Sequence, residues 1–124
     1  MSNKDKPSAL RAFKTAWFSK ACKKAHITDT ELCDAVREVL LGQADDLGGG
    51  VFKKRLKENR YRSLVLMKNE YFWVFEFLFA KADRDNIQAD ELQAFRQLAK
   101  SYGLLTTKQI QALLNTQHLF ELTL

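Results

Sequence analysis

Few of the residues that usually announce a chemistry are present. The 124 residues include only two cysteines, Cys22 and Cys33, and two histidines, His26 and His118. The thiols make no zinc motif, and no histidine stands at ligand spacing. They read as small packing residues, reduced in a cytoplasm. The histidines have no third partner in view, so surface or structural roles outweigh acid–base work. Proline occurs once, at Pro7, and no linker, repeat or low-complexity segment is visible. No apolar run approaches a membrane span, and the polar stretch Met1–Pro7 is not leader-like. Phosphate-loop, nucleophile-elbow and zinc-enzyme patterns are missing. Asp45, Asp46, Asp83 and Asp85 lie beside turns, where Asp is common for local reasons. Neither a metal nor a cofactor is expected.

What is there is a basic chain with large core pieces. It has nine Phe, three Tyr and two Trp, and a formal net charge of +5. The length suits one domain over 1–124. The charge favours an acidic partner such as nucleic acid, an anionic protein or a membrane surface.

The periodicities predict an α+β fold. Residues 1–8 read as a flexible tail. Leu10–Thr15 reads as a short strand and Trp17–Ala25 as a basic amphipathic helix. Thr28 and Glu31 make a capping-box pattern for a second helix from about Asp29, with Leu32, Val36, Val39 and Leu40 on one face and Gly42 as its stop. The two helices form an N-terminal helical hairpin expected to pack on a small antiparallel sheet. Gln43–Gly50 is a loop. Val51–Lys57, Tyr61–Met67 and Tyr71–Lys81 make a three-strand meander with tight turns. The last of these is apolar on both faces, as a central strand should be. A helix over Ala89–Tyr102 and a short helix capped by Thr106 or Thr107 follow. Residues 104–124 read as a C-terminal extension whose end, His118–Leu124, is either a strand or a tail.

The densest feature is Val51–Arg62, with basic residues at Lys53, Lys54, Arg55, Lys57, Arg60 and Arg62. Alternation puts Lys53, Arg55 and Lys57 on one strand face. Arg62 sits on the Leu64 and Leu66 side of the next strand, so it need not share a face with the Lys53 set, and twist or a bulge would be what brings them together. Lys81 and Arg84 follow the third strand. Such a cluster fits a phosphodiester and the charge that develops on a phosphorane-like transition state. Arg suits bidentate phosphate contact, and Lys is a point charge able to donate a proton. The competing reading is a solvated face that discourages edge pairing. Tyr61, between Arg60 and Arg62, is the candidate for stacking on a base. The aromatic series Tyr71, Trp73, Phe75, Phe77 and Phe79 reads as core. Gly48-Gly49-Gly50 reads as a turn that permits close backbone approach.

Five pieces in order carry a family resemblance: Phe13-Lys14-Thr15-Ala16-Trp17-Phe18, Asp46-Leu47-Gly48-Gly49-Gly50, Lys53-Lys54-Arg55, Tyr61-Arg62-Ser63-Leu64-Val65, and Phe79-Ala80-Lys81-Ala82-Asp83-Arg84-Asp85-Asn86-Ile87. The chain thus resembles the RelE/HigB-like toxins of bacterial type II toxin–antitoxin systems. The resemblance implies a microbial-ribonuclease-like α+β fold. It implies ribosome-dependent, metal-independent cleavage of mRNA by attack of the 2′-hydroxyl on the adjacent phosphate, and so inhibition of translation. The catalytic positions it implies are Lys53, Arg55, Arg62, Lys81 and Arg84. Lys54, Lys57, Arg60 and Tyr61 are expected to bind RNA. The implied partners are mRNA, the ribosome and a cognate antitoxin of helix-turn-helix type, held in a hetero-oligomer. Ala82 stands where some members have a catalytic Arg, and no Tyr follows Ile87. The alternatives are a toxin of the same fold that acts on a protein such as DNA gyrase, and a non-catalytic RNA- or antitoxin-binding module.

Overall fold

The computed structural model describes residues 10–124, so the tail read at 1–8 lies outside the described residues. The elements are β1 (Arg11–Thr15), α1 (Ala16–Ala25), α2 (Asp29–Leu40), β2 (Asp45–Asp46), β3 (Val51–Leu56), β4 (Tyr61–Asn69), β5 (Phe72–Ala80), α3 (Ala89–Gly103), α4 (Thr107–Asn115) and β6 (Leu119–Leu122). All strands join one sheet in the order β2-β3-β4-β5-β1-β6.

The class is α+β overall, but two parts of the expected architecture are corrected. The sheet is six-stranded and mixed, not a small antiparallel one, because β1 lies parallel to β5. The described chain also opens on a strand, and its helices come after β1 rather than as an N-terminal helical hairpin. Sequence distance hid the long pairing. A parallel neighbour needs a crossover, and this one includes α1, α2, β3 and β4. The loop read at Gln43–Gly50 contains the two-residue edge strand β2, paired with Phe52 and Lys53. The undecided end is a strand: β6 runs antiparallel to β1 at the other edge, with Arg11 and Glu121 joined by two 2.8 Å bonds.

Local signals set the helix ends. Thr15 caps α1 by accepting from the Phe18 amide, and His26 closes it in a left-handed conformation with φ 58°. Thr28 and Glu31 form the reciprocal capping box of α2, and Thr106 and Gln109 do the same for α4. Leu32, Val36 and Val39 face inward from α2, whereas Leu40 is exposed.

Each sheet face carries its own core. One face holds α1 and α2 over Val65, Trp73 and Phe75, with Phe18 and Leu32 sealed between. The other holds α3 and α4 over Val51, Leu64, Leu66 and Val74. Fully buried side chains such as Phe13, Phe18 and Phe75 each contribute about 1.5–3 kcal/mol. β5 is therefore central and covered on both sides. A register shift between Leu64 and Val65 makes Glu76 an extra residue on β5. This bulge reverses the side-chain parity. Trp73 and Phe75 face α1 and α2, while Phe77 joins the α3 side, its ring tilted against that of Phe95 at 5.6 Å.

The glycine triplet receives α3. Gly48, Gly49 and Gly50 all have φ between 66° and 85°. The Arg96 side chain lies across them, donating to the carbonyls of Leu47 and Gly48. A Cβ on Gly49 would stand 2.7 Å from the Arg96 Cγ. The glycines thus serve a close approach between backbone and helix.

Candidate functional site

α3 covers the Leu64–Leu66 region of the sheet and leaves the far end of β3, β4 and β5 for charged residues. The register aligns Lys53 with Leu64, Arg55 with Arg62, and Arg62 in turn with Phe79. Paired residues share a face. Lys53, Arg55, Arg62 and Phe79 therefore stand together on the α3 side, and regular register achieves this without a bulge between β3 and β4.

Their environments differ. Arg55 is exposed and has no hydrogen-bonded or ion-pair partner among the described residues. Arg62 is only 7% exposed. One of its terminal nitrogens donates to the Asn59 carbonyl at 2.8 Å and more weakly to that of Tyr61 at 3.4 Å. No carboxylate meets it among the described residues. A guanidinium has five donors, so most of Arg62's donors have no hydrogen-bond partner among the described residues. Its bond to Asn59 also braces an unusual turn, because Lys57, Glu58 and Asn59 all have φ between 54° and 73°.

Lys53 lies 3.7 Å from Asp45 and reaches Asn86 at 3.5 Å. Arg84 sits over the Phe79 ring at 5.4 Å and makes a bidentate pair with Glu91 in the first turn of α3. The Arg84 hydrogen bond holds the Glu91 carboxyl below its ordinary pKa, with help from the Gln88 amide. Arg84 thereby becomes a fixed part of the rim beside Arg62.

The remaining candidates separate from this group. Lys57 does not share the Lys53 face as the alternation implied. The strand ends at Leu56, and the left-handed turn sends its ammonium to the His26 carbonyl at 2.7 Å and to Glu31 at 3.7 Å. Lys54 faces α2, where it meets Glu38 at 2.8 Å and the Gln43 carbonyl at 3.0 Å. Both lysines tie the sheet to the helical pair. Arg60 is exposed and near Glu58 at 3.6 Å. Lys81 is exposed, and its amide bonds the Arg60 carbonyl at 2.9 Å. Tyr61 is half-buried against the α1–α2 core. His26 and His118 lie far apart in the topology, one after α1 and one before β6. No group of three or more His, Cys, Asp or Glu side chains is arranged to hold a metal among the described residues. No described helix is long and apolar enough to cross a membrane.

Sequence reasoning missed Asn86, Glu91 and Asp45, which position the cations. Asn86 and Glu91 lay within reach as a turn residue and an α3 first-turn acid, but only the fold reveals what they touch.

A family model described as the RelE toxin of the RelE/RelB toxin–antitoxin system matches residues 10–122. The chain belongs to the RelE toxin family. This RelE-family chain is accordingly the toxin of a toxin–antitoxin system, and the family implies a cognate antitoxin. The match extends through α4 and β6, and these elements supply Ile110 and Leu119 to the core on the α3 side. No curated protein and no solved structure matches the chain.

Proposed function

We propose that this RelE-family toxin is a ribosome-dependent mRNA endoribonuclease that cuts without a metal and so inhibits translation. The observation that carries this reading is the pair Arg55 and Arg62, two cations directly opposed across β3 and β4 and without a carboxylate partner among the described residues. Like charges in that relationship weaken a sheet, and a buried, unpaired cation is costly. A bound phosphodiester would relieve both.

In the proposed site, Arg62 and Arg55 contact the scissile phosphate and stabilise the charge that builds up as the 2′-hydroxyl attacks it. A guanidinium offers donors only and no acceptor, which suits it to phosphate oxygens. Lys53 stands two residues along β3 from Arg55 on the same face, where an ammonium can supply a proton to the leaving 5′-oxygen as its bond to phosphorus breaks, while the proton of the attacking 2′-hydroxyl passes to solvent water and a 2′,3′-cyclic phosphate is left. Arg84 and Lys81 extend the cationic rim. Lys54, Lys57 and Arg60 add to the field that attracts RNA, and Tyr61 offers a ring near the entry. The antitoxin is proposed to cover this rim, with a helix-turn-helix domain for its own DNA contacts. The toxin acts in the cytoplasm, where its ribosomal target resides.

The test is induced expression of wild type and of Arg55→Glu without antitoxin, with 5′ ends of cellular mRNA mapped. Growth arrest with in-frame cuts in translated messages, absent for Arg55→Glu, is expected. Arrest without cuts would move the target to a protein, and no arrest would leave a binding module.

A further inference from the structure

We propose that the groove between α1 and the end of β5 holds a nucleotide flanking the cut phosphate in single-stranded RNA, with its base stacked on Trp17 and its phosphates on Lys20 and Lys24. This deepens the RNA-cleaving reading above and rests on it.

The groove arises from unequal strand lengths. β1 pairs with β5 only from Phe72 to Phe75. The outer edge of β5 from Glu76 to Ala80 therefore has no strand partner among the described residues, and α1 passes beside it. The space between is about 510 Å³ and is bounded by Trp17, Lys20, Lys24, Tyr61, Asp83 and Arg84. This volume lies in the range of small-molecule sites. Three cations and one carboxylate give it a net positive lining. Lys20 and Lys24 stand one helical turn apart on the same face of α1, and neither has an ion-pair partner among the described residues.

Trp17 is built as a platform. It is 52% exposed, whereas the other tryptophan, Trp73, is 4% exposed with its indole N–H bonded to the Glu70 carbonyl. The Trp17 ring stacks on Phe77 at 5.2 Å and 21°. Phe77 is held in turn by Phe95 at 5.6 Å and Phe79 at 5.9 Å. One indole face is thus fixed, and the exposed half is free to take a planar group. Stacking between a base and a rigid ring is tolerant of sequence and strong enough to matter. The same aromatic chain leads from Trp17 through Phe77 to Phe79, beneath Arg84 and opposite Arg62. A strand of RNA lying on Trp17 would therefore run directly into the Arg55–Arg62 pair.

The experiment titrates the full chain with a short single-stranded RNA carrying 2′-O-methyl sugars, which it cannot cut, and reads tryptophan emission and affinity together. RNA is expected to quench the exposed Trp17. Trp17→Phe should lose the quench, because only the buried Trp73 remains, while keeping most of the affinity. Trp17→Ala should bind about ten-fold more weakly when assayed well below its unfolding temperature, where circular dichroism shows it folded, although loss of the Phe77 stack lowers that temperature. Lys20→Gln and Lys24→Gln should each lower the slope of log affinity against log salt by about 0.7. Full affinity in Trp17→Ala with no quench in wild type, while Arg55→Glu abolishes binding, would overturn the groove and leave the cleavage reading intact. Failure of wild type to bind RNA at all would overturn both. Retention of a co-expressed antitoxin that depends on Trp17, without RNA quenching, would assign the groove to a protein and overturn the proposal.

Discussion

Arg55 and Arg62 face one another across the β3–β4 ladder, one exposed and one almost fully buried. Neither has a carboxylate to answer it among the described residues. The arrangement opposes the stability of the sheet that carries it. Arg55→Gln should therefore raise the unfolding free energy by about 0.2–1 kcal/mol, measured in urea, while mRNA cutting falls by at least the ~100-fold typical of losing one transition-state donor. An Arg55→Gln protein that is less stable than wild type would show that the pair is not in conflict.

Gly49 and Arg96 define how α3 docks. Gly49→Ala meets both a left-handed φ of 66° and the Arg96 Cγ at 2.7 Å. We expect it to destabilise the fold by more than about 1 kcal/mol. In the double variant with Arg96→Ala the loss should be smaller than the sum of the two singles, because removing Arg96 removes the collision but not the backbone strain. Strict additivity would exclude the contact as the cause.

Glu76 lies at the β5 bulge and accepts a 2.7 Å bond from the Tyr102 hydroxyl of α3. Burial pushes its carboxyl pKa up, and the Tyr102 bond only partly offsets this. The folded state therefore keeps a proton that the unfolded chain has released above its ordinary value near ~4.3. This group's contribution to stability is fully present below that value and is lost as pH rises through the raised folded pKa. Glu76→Gln should flatten the decline and stabilise the protein at neutral pH but not in acid. Tyr102→Phe, which strips the carboxylate of its donor, should cost about 1–3 kcal/mol at neutral pH. Parallel stability–pH curves for wild type and Glu76→Gln would contradict the assignment.

Glu31 behaves in the opposite sense. The Thr28 amide, foremost, holds its pKa below the ordinary value, with a further contribution from Lys57. Stability from this box is present above the unfolded carboxylate value and is lost as pH falls through the lowered folded one. Thr28→Ala removes the hydroxyl that accepts from the Glu31 amide at 3.2 Å and should cost about 1 kcal/mol. Chemical denaturation at neutral and acid pH checks both statements. An unchanged midpoint for Thr28→Ala would remove the cap from the account.

Much of this was legible because it depends on neighbours in sequence. The Thr28–Glu31 box, the two helices following β1, and the β3–β4–β5 order follow from residues a few positions apart, whereas the choice of Thr106 over Thr107 as the α4 cap came from the structure. The basic cluster at Lys53–Arg62 was equally visible as composition. The partners of those charges were not. Lys54 and Lys57 look identical to Lys53 in the sequence, yet they turn to Glu38 and Glu31 while Lys53 turns to Asp45 and Asn86. Trp17 reads as one apolar residue at the start of an amphipathic helix. Only the shortfall of β1 along β5 leaves it half exposed beside Lys20 and Lys24.

The sequence by itself determined the local elements, the surplus of positive charge and the family likeness, since capping, periodicity and motif order act over short spans. Tertiary structure alone decided the six-stranded mixed sheet, the register that sets Arg55 against Arg62, and the bulge at Glu76 that turns Phe77 toward α3. Those features depend on which distant strands pair and at what offset. Burial of two cores on opposite sheet faces selects that pairing, and a one-residue slip would have sent every one of those side chains to the other side.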